Sequence, residues 1–291
     1  MKKIFVFLLC LLVVFSVACG EPTVEESRFL DGSVEFTTQN LPKICATPYT
    51  EAMAVNMVSA ILGCDTATAK TLITVCDSTD DCYEELMKSH CDIVIAHDYG
   101  QDIVKLLNST ELKLVMTELD RDALIFTTNG AQGVESVSVE QLKSVYNGEV
   151  TDWKELDGNE MAITLFGAKS RTAMHNALEK YVLTEAEIPP VTRPVITANG
   201  TFTAEIDYDN RNGAIGYTLL SLSGNLAGGS IKALSVDGVA PSKQTVKTGQ
   251  YLFGIAVNIA IRNSEKPNSN TRFLYDWAIS EQGKLAIGNL Y

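Results

Sequence analysis

The 291-residue chain predicts an α/β protein with parallel sheet, in two lobes rather than one. Three observations carry that expectation. Between Leu41 and Ala96, short apolar or β-branched runs alternate with helix-period segments at spacings that call for right-handed crossovers between parallel strands. A second series of strand and helix signals runs from Asp122 to Tyr291. The hydrophobic content of 46% is enough for sizeable cores.

The chain opens on a leader. Lys2 and Lys3 precede an apolar run from Ile4 to Val17, which ends in Ala18-Cys19-Gly20. A basic start, a short apolar stretch and small residues spell a secretory signal over residues 1–18. The run is short for a membrane span. Its ending, SVAC, resembles a bacterial lipobox, which implies cleavage before Cys19 and a diacylated anchor there. The alternative is an ordinary signal in which Cys19 is incidental. Residues 19–40, with Glu21, Pro22, Glu25 and Glu26, read as a flexible polar tether.

LPKIC (41–45) is a short strand. TPYTEAMAVNMVSAILG (47–63) is a helix with Ala54, Met57, Val58 and Ile61 on its apolar stripe; Thr47 suits its N-cap, Pro48 its first turn and Gly63 its end. TLITVC (71–76) is a β-branched strand, STDDCYEELMKS (78–89) a second helix, and CDIVIA (91–96) a third strand, apolar on both faces. DALIFTTN (122–129) follows as a strand, then the helix SVEQLKSVYNGEV with Ser138 as its cap. MAITLF (161–166) leads into a helix whose apolar face is Ala173, Met174, Ala177, Leu178, Tyr181 and Val182. After the proline-rich IPPVTRPV come the strands GAIGYTLL (213–220) and YLFGIAVNIAIR (251–262). One closing helix is expected over 270–287.

A formal charge of −13, which grows more negative when Lys2 and Lys3 leave with the signal, argues against a nucleic-acid or anionic-membrane surface. It does not forbid a local anion site. Once Cys10 is removed and Cys19 acylated, five cysteines remain, all before residue 92: Cys45, Cys64, Cys76, Cys82 and Cys91. An exported location permits disulfides, and five thiols cannot all pair. No CxxC or CxxH spacing marks a metal site, and no cofactor is expected. His90, His97 and His175 are expected at the surface.

Three turns carry the functional argument. Lys169, Ser170, Arg171 and Thr172 stand at a helix N-terminus, where the partial positive charge and free N–H groups disfavour cations unless an anion arrives. The plainer alternative is a Ser170 cap with solvated Lys169 and Arg171. Ala46 and Thr47 follow the first strand, and Ser78 and Thr79 follow the second. Hydroxyls and N–H groups at three such helix starts can converge on one anion. Asp98 ends the third strand and faces the same crevice. It accepts a hydrogen bond only from an oxygen that carries hydrogen, so it would favour hydrogen phosphate over sulfate. Its alternatives are a turn cap or a lysine partner.

Four stretches, in order, resemble the phosphate-binding substrate proteins of bacterial ABC importers, in their surface-lipoprotein branch: CDIVIAHD, VSVEQLKSVYNGEVTDWKELDG, GAIGYTLL and LYDWAISEQGKLAIGNLY. The resemblance covers most of residues 41–291. It implies a two-lobed type II periplasmic-binding-protein fold, each lobe a central sheet flanked by helices, with a two-strand hinge. Lobe one would be 41–128 plus 251–291 and lobe two 129–250. It also implies phosphate held between the lobes, by a monomer lipid-anchored at the outer face of the cytoplasmic membrane, for ABC permease subunits.

The sequence departs from the family pattern in two turns. The first is CATP rather than a Ser/Thr-rich, Gly-containing turn. In the second, Phe166 stands near the family's Arg position, Ala168 at its first Ser and Lys169 at its Gly, with Ser170 as the second hydroxyl. These departures motivate another oxyanion or a small acidic metabolite as alternative ligands. A non-transport adhesin or signalling lipoprotein is a further alternative. An enzyme using Cys45 as nucleophile with His97 or His175 as base has no Cys–His signature behind it. Against the implied fold, a Cys64–Cys91 disulfide is expected, with Cys45, Cys76 and Cys82 holding another bridge and one thiol.

Overall fold

Strand and helix signals that alternate in sequence give a continuous sheet with helices on both faces in the computed structural model, which describes residues 27–28, 34–128, 130–183, 193–195, 212–226 and 231–291. The signal, Cys19 and all of the proline-rich passage except its last three residues lie outside the described residues. The elements run β1 (Ser27–Arg28), β2 (Glu35–Phe36), β3 (Ile44–Ala46), α1 (Glu51–Leu62), α2 (Thr66–Lys70), β4 (Ile73–Val75), α3 (Thr79–Met87), β5 (Ile93–His97), α4 (Gln101–Asn108) and β6 (Leu114–Thr128). They continue with β7 (Ser136–Val137), α5 (Val139–Tyr146), a 3₁₀ turn (Trp153–Leu156), β8 (Thr164–Ala168), α6 (Ala173–Tyr181), β9 (Arg193–Val195) and β10 (Ala214–Leu219). After a second 3₁₀ segment (Leu220–Leu226) come β11 (Lys232–Ala233), β12 (Ser235–Val236), α7 (Lys243–Lys247), β13 (Gly254–Arg262), α8 (Asn270–Ile279) and α9 (Glu281–Ile287).

The principal sheet has the order β4-β3-β5-β13-β6-β10-β8-β9, with β11 added to β6. The expected strands β3, β4 and β5 pair in parallel. The joint between lobes is β6, a 15-residue strand that changes partner along its length. Leu114 to Ala123 pair with β13, and Leu124 to Thr128 pair with β10. A strand that changes partner midway is a natural hinge, because a small rotation at the change of partner moves one half of the sheet against the other.

Period-2 alternation gives the first-lobe sheet two different faces. Ile44, Ala46, Ile93, Ile95, Ile259 and Ile261 pack with α1, α8 and α9. Cys45, Val94, Ala96 and Ala260 pack instead with Tyr83, Leu86 and Ile103 of α3 and α4. The second lobe is built round Trp153, Tyr146, Phe126, Tyr217, Tyr251 and Phe253.

Four expectations are corrected. Residues 34–40 are not free tether: Phe36 is fully buried in the first-lobe core, and Asn270 Nδ2 donates to the Asn40 carbonyl at 2.8 Å. Thr50, not Thr47, is the N-cap of α1, and it makes no side-chain cap bond, because its hydroxyl is committed to the Ile95 carbonyl at 2.6 Å. The closing helix is two, α8 and α9, broken at Ser280 in extended backbone; a side chain on Gly283 would meet the Trp277 carbonyl, so only glycine permits that corner. The Cys64–Cys91 bridge is not formed. The sheet stands between the two residues: Cys64 packs on the α1 face and Cys91 on the α3 face.

Candidate functional site

The carboxyl ends of β3, β4 and β5 lead to the starts of α1, α3 and α4, as crevice geometry in an open α/β sheet requires. Ser78 caps α3 by accepting from Asp81 N at 3.2 Å. The capping directs the next residues, Thr79 and Asp80, toward the second lobe, and both are 1% exposed. The Thr79 hydroxyl is buried with no hydrogen-bond partner, a costly state for a polar group unless something else satisfies it.

Asp80 is the meeting point of the lobes. Its N–H donates to the Arg171 carbonyl at 3.2 Å. Its Oδ1 accepts from Gly100 N, at the start of α4, at 2.9 Å and from Asn176 Nδ2, on α6, at 2.8 Å. Burial pushes the Asp80 pKa up, and the bonds from Gly100 and Asn176 and the charge of Arg171 only partly oppose it. Gly100 is needed for close approach: a Cβ there would lie 2.5 Å from Asn176 Oδ1 and 3.0 Å from Asp80 Oδ2.

Arg171 occupies left-handed backbone at φ +69°. Its Nη2 donates to Asp81 Oδ1 at 3.0 Å and to Glu84 Oε1 at 2.5 Å, both on α3. Its guanidinium therefore clasps the flank of the opposite lobe. Thr172, not Ser170, caps α6, with His175 N donating to its hydroxyl at 3.4 Å, while that hydroxyl donates to the Lys169 carbonyl at 2.7 Å. Lys169 and Ser170 are exposed.

Asp98 accepts from Asn258 Nδ2 at 3.0 Å and from Lys180 Nζ, on α6, at 3.3 Å, which is the lysine partner its sequence position allowed. Between Asp98, Asn176, Lys180, Tyr181 and Ile255 the crevice narrows to a cavity of about 10 Å³, the room of a single water. Tyr181 donates to the Gly254 carbonyl at 2.5 Å. The lobes are closed on one another. Thr47 is buried, with its N–H and hydroxyl both on Thr50 Oγ1 at 3.1 and 3.0 Å. Ala46 is buried against the α1 face.

The structure thus brings Ser78, Thr79, Arg171 and Thr172 to one interlobe seam. Asp98 lies at that seam's Lys180 end, while Lys169 and Ser170 stay in solvent. Sequence reasoning missed Asp80, Gly100, Asn176 and Lys180. The doubled acid in DSTDD and the lone glycine in AHDYG were the available signals.

Behind the crevice is a buried polar joint. Asp122 on β6 accepts from Ser221 Oγ at 2.6 Å, Ser221 N at 3.0 Å, Ala123 N at 2.8 Å and Tyr291 OH at 3.1 Å, and it lies 3.3 Å from His97 Nε2. Burial alone would raise its pKa; the bonds from His97, Ser221 and Ala123 N–H reverse this and lower it. The serine bonds to the carboxylate and not to the imidazole, so this is not a nucleophile–base relay. His97 and His175 are buried, against the expected surface placement; only His90 is exposed, beside Glu85. Among the described residues, no group of three His, Cys, Asp or Glu is placed to hold a metal ion, and no helix is long and apolar enough to cross a membrane.

Two α/β lobes joined through β6 and β13, with helix starts from both meeting at the joint, define the solute-binding fold of type II periplasmic binding proteins. The chain belongs to the PBP superfamily, whose domain matches residues 66–281. It is 33% identical over 123 residues to the phosphate-binding protein PstS of Bacillus subtilis, an alignment that covers 42% of this chain and 39% of that protein's length. The fold is similar to the crystal structure of a putative phosphate ABC transporter substrate-binding protein with bound phosphate from Clostridium perfringens (TM-score 0.64, 19% identity, 85% of this chain and 96% of that one). It is equally similar to an ABC-type phosphate transport receptor from Vibrio cholerae (TM-score 0.66, 17% identity, 84% and 96%).

Proposed function

We propose that this protein is an extracytoplasmic binding protein that captures phosphate between its lobes and presents it to an ABC importer, anchored to the membrane through Cys19. The names of its relatives support the ligand and the importer context. The observation that carries the reading is the meeting of the α3 and α6 N-terminal turns at Asp80, Arg171 and Asn176, beside the unpartnered Thr79 hydroxyl. Helix starts facing each other across a closing joint suit a small oxyanion.

Asp80 gives this reading a chemical condition. Its carboxylate already holds the donors of Gly100 and Asn176. A guest anion would either displace it on opening of the lobes or donate a hydrogen to it. Hydrogen phosphate can donate, to Asp80 or to Asp98; sulfate cannot. Isothermal titration with phosphate and with sulfate tests the proposal: saturable heat with phosphate and at least tenfold weaker binding of sulfate are expected. No heat at millimolar phosphate excludes it.

A second reading keeps the fold and changes the guest to another oxyanion or a small acidic metabolite. The carboxylate of Asp80 in the seam and the solvent-facing Lys169 favour it. A thermal-shift panel separates the two readings, since only a true ligand raises the melting temperature by mass action. Chemistry at Cys45 is disfavoured: its thiol is 2% exposed and lies among other cysteines, where the lowering bond with Cys76 is outweighed by the bond with Cys91 and by burial, so its pKa is raised, whereas a nucleophilic thiol needs the reverse.

A further inference from the structure

Four thiols of the first lobe touch one another in a line. Cys45 lies in β3 on the face covered by α3. Cys76 follows β4, with its N–H on the Ala46 carbonyl at 2.9 Å, and so comes to the same face one strand over. Cys82 reaches down from α3, and Cys91 leads into β5. Across the sheet the order is Cys76 just after β4, Cys45 in β3 and Cys91 just before β5, and the side-chain contacts run Cys82 to Cys76, Cys76 to Cys45 and Cys45 to Cys91. All four are at most 8% exposed and share one packed cluster.

A line of four has one complete pairing, because each end residue must take its only neighbour. We propose that the exported protein carries two disulfides, Cys76–Cys82 and Cys45–Cys91, and leaves Cys64 as a thiol. Pairing Cys45 with Cys76 would strand Cys82 and Cys91. Cys64 is behind the sheet and reaches none of them.

Each bridge forms by exchange with a protein or small-molecule disulfide of the extracytoplasmic space. Two S–H bonds of this chain give up their protons and one S–S bond forms. The S–S bond of the exchanging disulfide breaks and is reduced to two thiols. In the finished fold, contact between the sulfurs and burial push the Cys45, Cys76 and Cys82 thiols up, so exchange belongs to the folding chain. The consequence for the site is direct. Cys76–Cys82 closes a loop round Ser78, Thr79 and Asp80, the turn that meets the second lobe.

Mass mapping of exported, unreduced protein, alkylated in denaturant and digested with trypsin, tests the pairing. The peptide 71–88 holds both Cys76 and Cys82 and should be two hydrogens lighter than its dithiol form. Peptide 44–70 should be linked to peptide 89–105. Because Cys45 and Cys64 share peptide 44–70, the Cys64→Ser variant assigns the link, which should persist. Reduction should lower the melting temperature by about 5–15 °C. Full alkylation of the four cysteines, a Cys45–Cys76 link, or loss of the 44–70 link in Cys64→Ser overturns the proposal. None of these readouts involves phosphate, so the pairing and the ligand assignment fail separately.

Discussion

Asn176 of the second lobe donates its side-chain amide to the Asp80 carboxylate of the first at 2.8 Å, and both side chains pack directly over Gly100. In Gly100→Ala the new methyl would stand 2.5 Å from Asn176 Oδ1. Gly100 has φ −86°, so alanine is not strained there, and the first lobe should fold as before. Closure should not survive. Small-angle scattering should give a larger radius of gyration than the native protein, and phosphate affinity should fall at least tenfold, about 1.4 kcal/mol. A variant that closes like the native protein would show that this contact does not set the seam.

Thr79 separates stability from binding. Its hydroxyl is buried without a partner, so Thr79→Val removes a polar group that stabilises nothing in the closed fold. Melting temperature should hold or rise. Phosphate binding should weaken by about 1 kcal/mol, the net worth of one hydrogen bond. A loss of stability with unchanged affinity would mean that the hydroxyl serves the fold and not a guest.

Arg171 combines a clasp with a strained backbone. Its side chain is about one-third exposed, so its two pairs with Asp81 and Glu84 are worth roughly 1 kcal/mol together after screening. Arg171→Ala should lose that and keep the left-handed backbone. Arg171→Gly should lose the clasp but recover about 1 kcal/mol of backbone strain. Urea unfolding of the two variants should therefore place glycine above alanine. The reverse order would mean that φ +69° is not held in solution.

Asp122 sets an acid limb. Its folded pKa is lowered, so its contribution is fully present above the unfolded carboxylate range and disappears as pH falls through the lowered folded value. Asp122→Asn should cost about 2–3 kcal/mol near neutral pH, the scale of hydrogen bonds to a charged group, and the native and variant stabilities should converge in acid. Parallel curves down to low pH would contradict the role given to the bonds from His97, Ser221 and Ala123.

Much of this was readable in the residues, for identifiable reasons. Ser78 and Ser138 cap where their spacing to Asp81 and Gln141 says they should, because a cap is a local event. The strands β3, β4 and β5 are short β-branched runs, and they pair in parallel as their spacing requires. What was not readable depends on partners distant in sequence. The sequence marks this strand only from Asp122; the first half of β6 carries Glu118, Asp120 and Arg121, and it is a strand because β13 supplies its partner. Asp80 reads as an acid favouring a helix start; only the second lobe makes it a joint. Arg171 was placed at the anion by its position in the turn, while its side chain turns to Asp81 and Glu84. The cysteines could not be paired from spacing, because which sheet face each occupies is set by alternation along the strands.

The most direct test is calorimetric titration of ligand-stripped protein with phosphate, alongside Thr79→Val. One saturable site per chain, weakened about fivefold to tenfold by the valine, is the expected result. No heat at millimolar phosphate, or equal binding by both proteins, would contradict the claim that helix starts from the two lobes close on a small oxyanion.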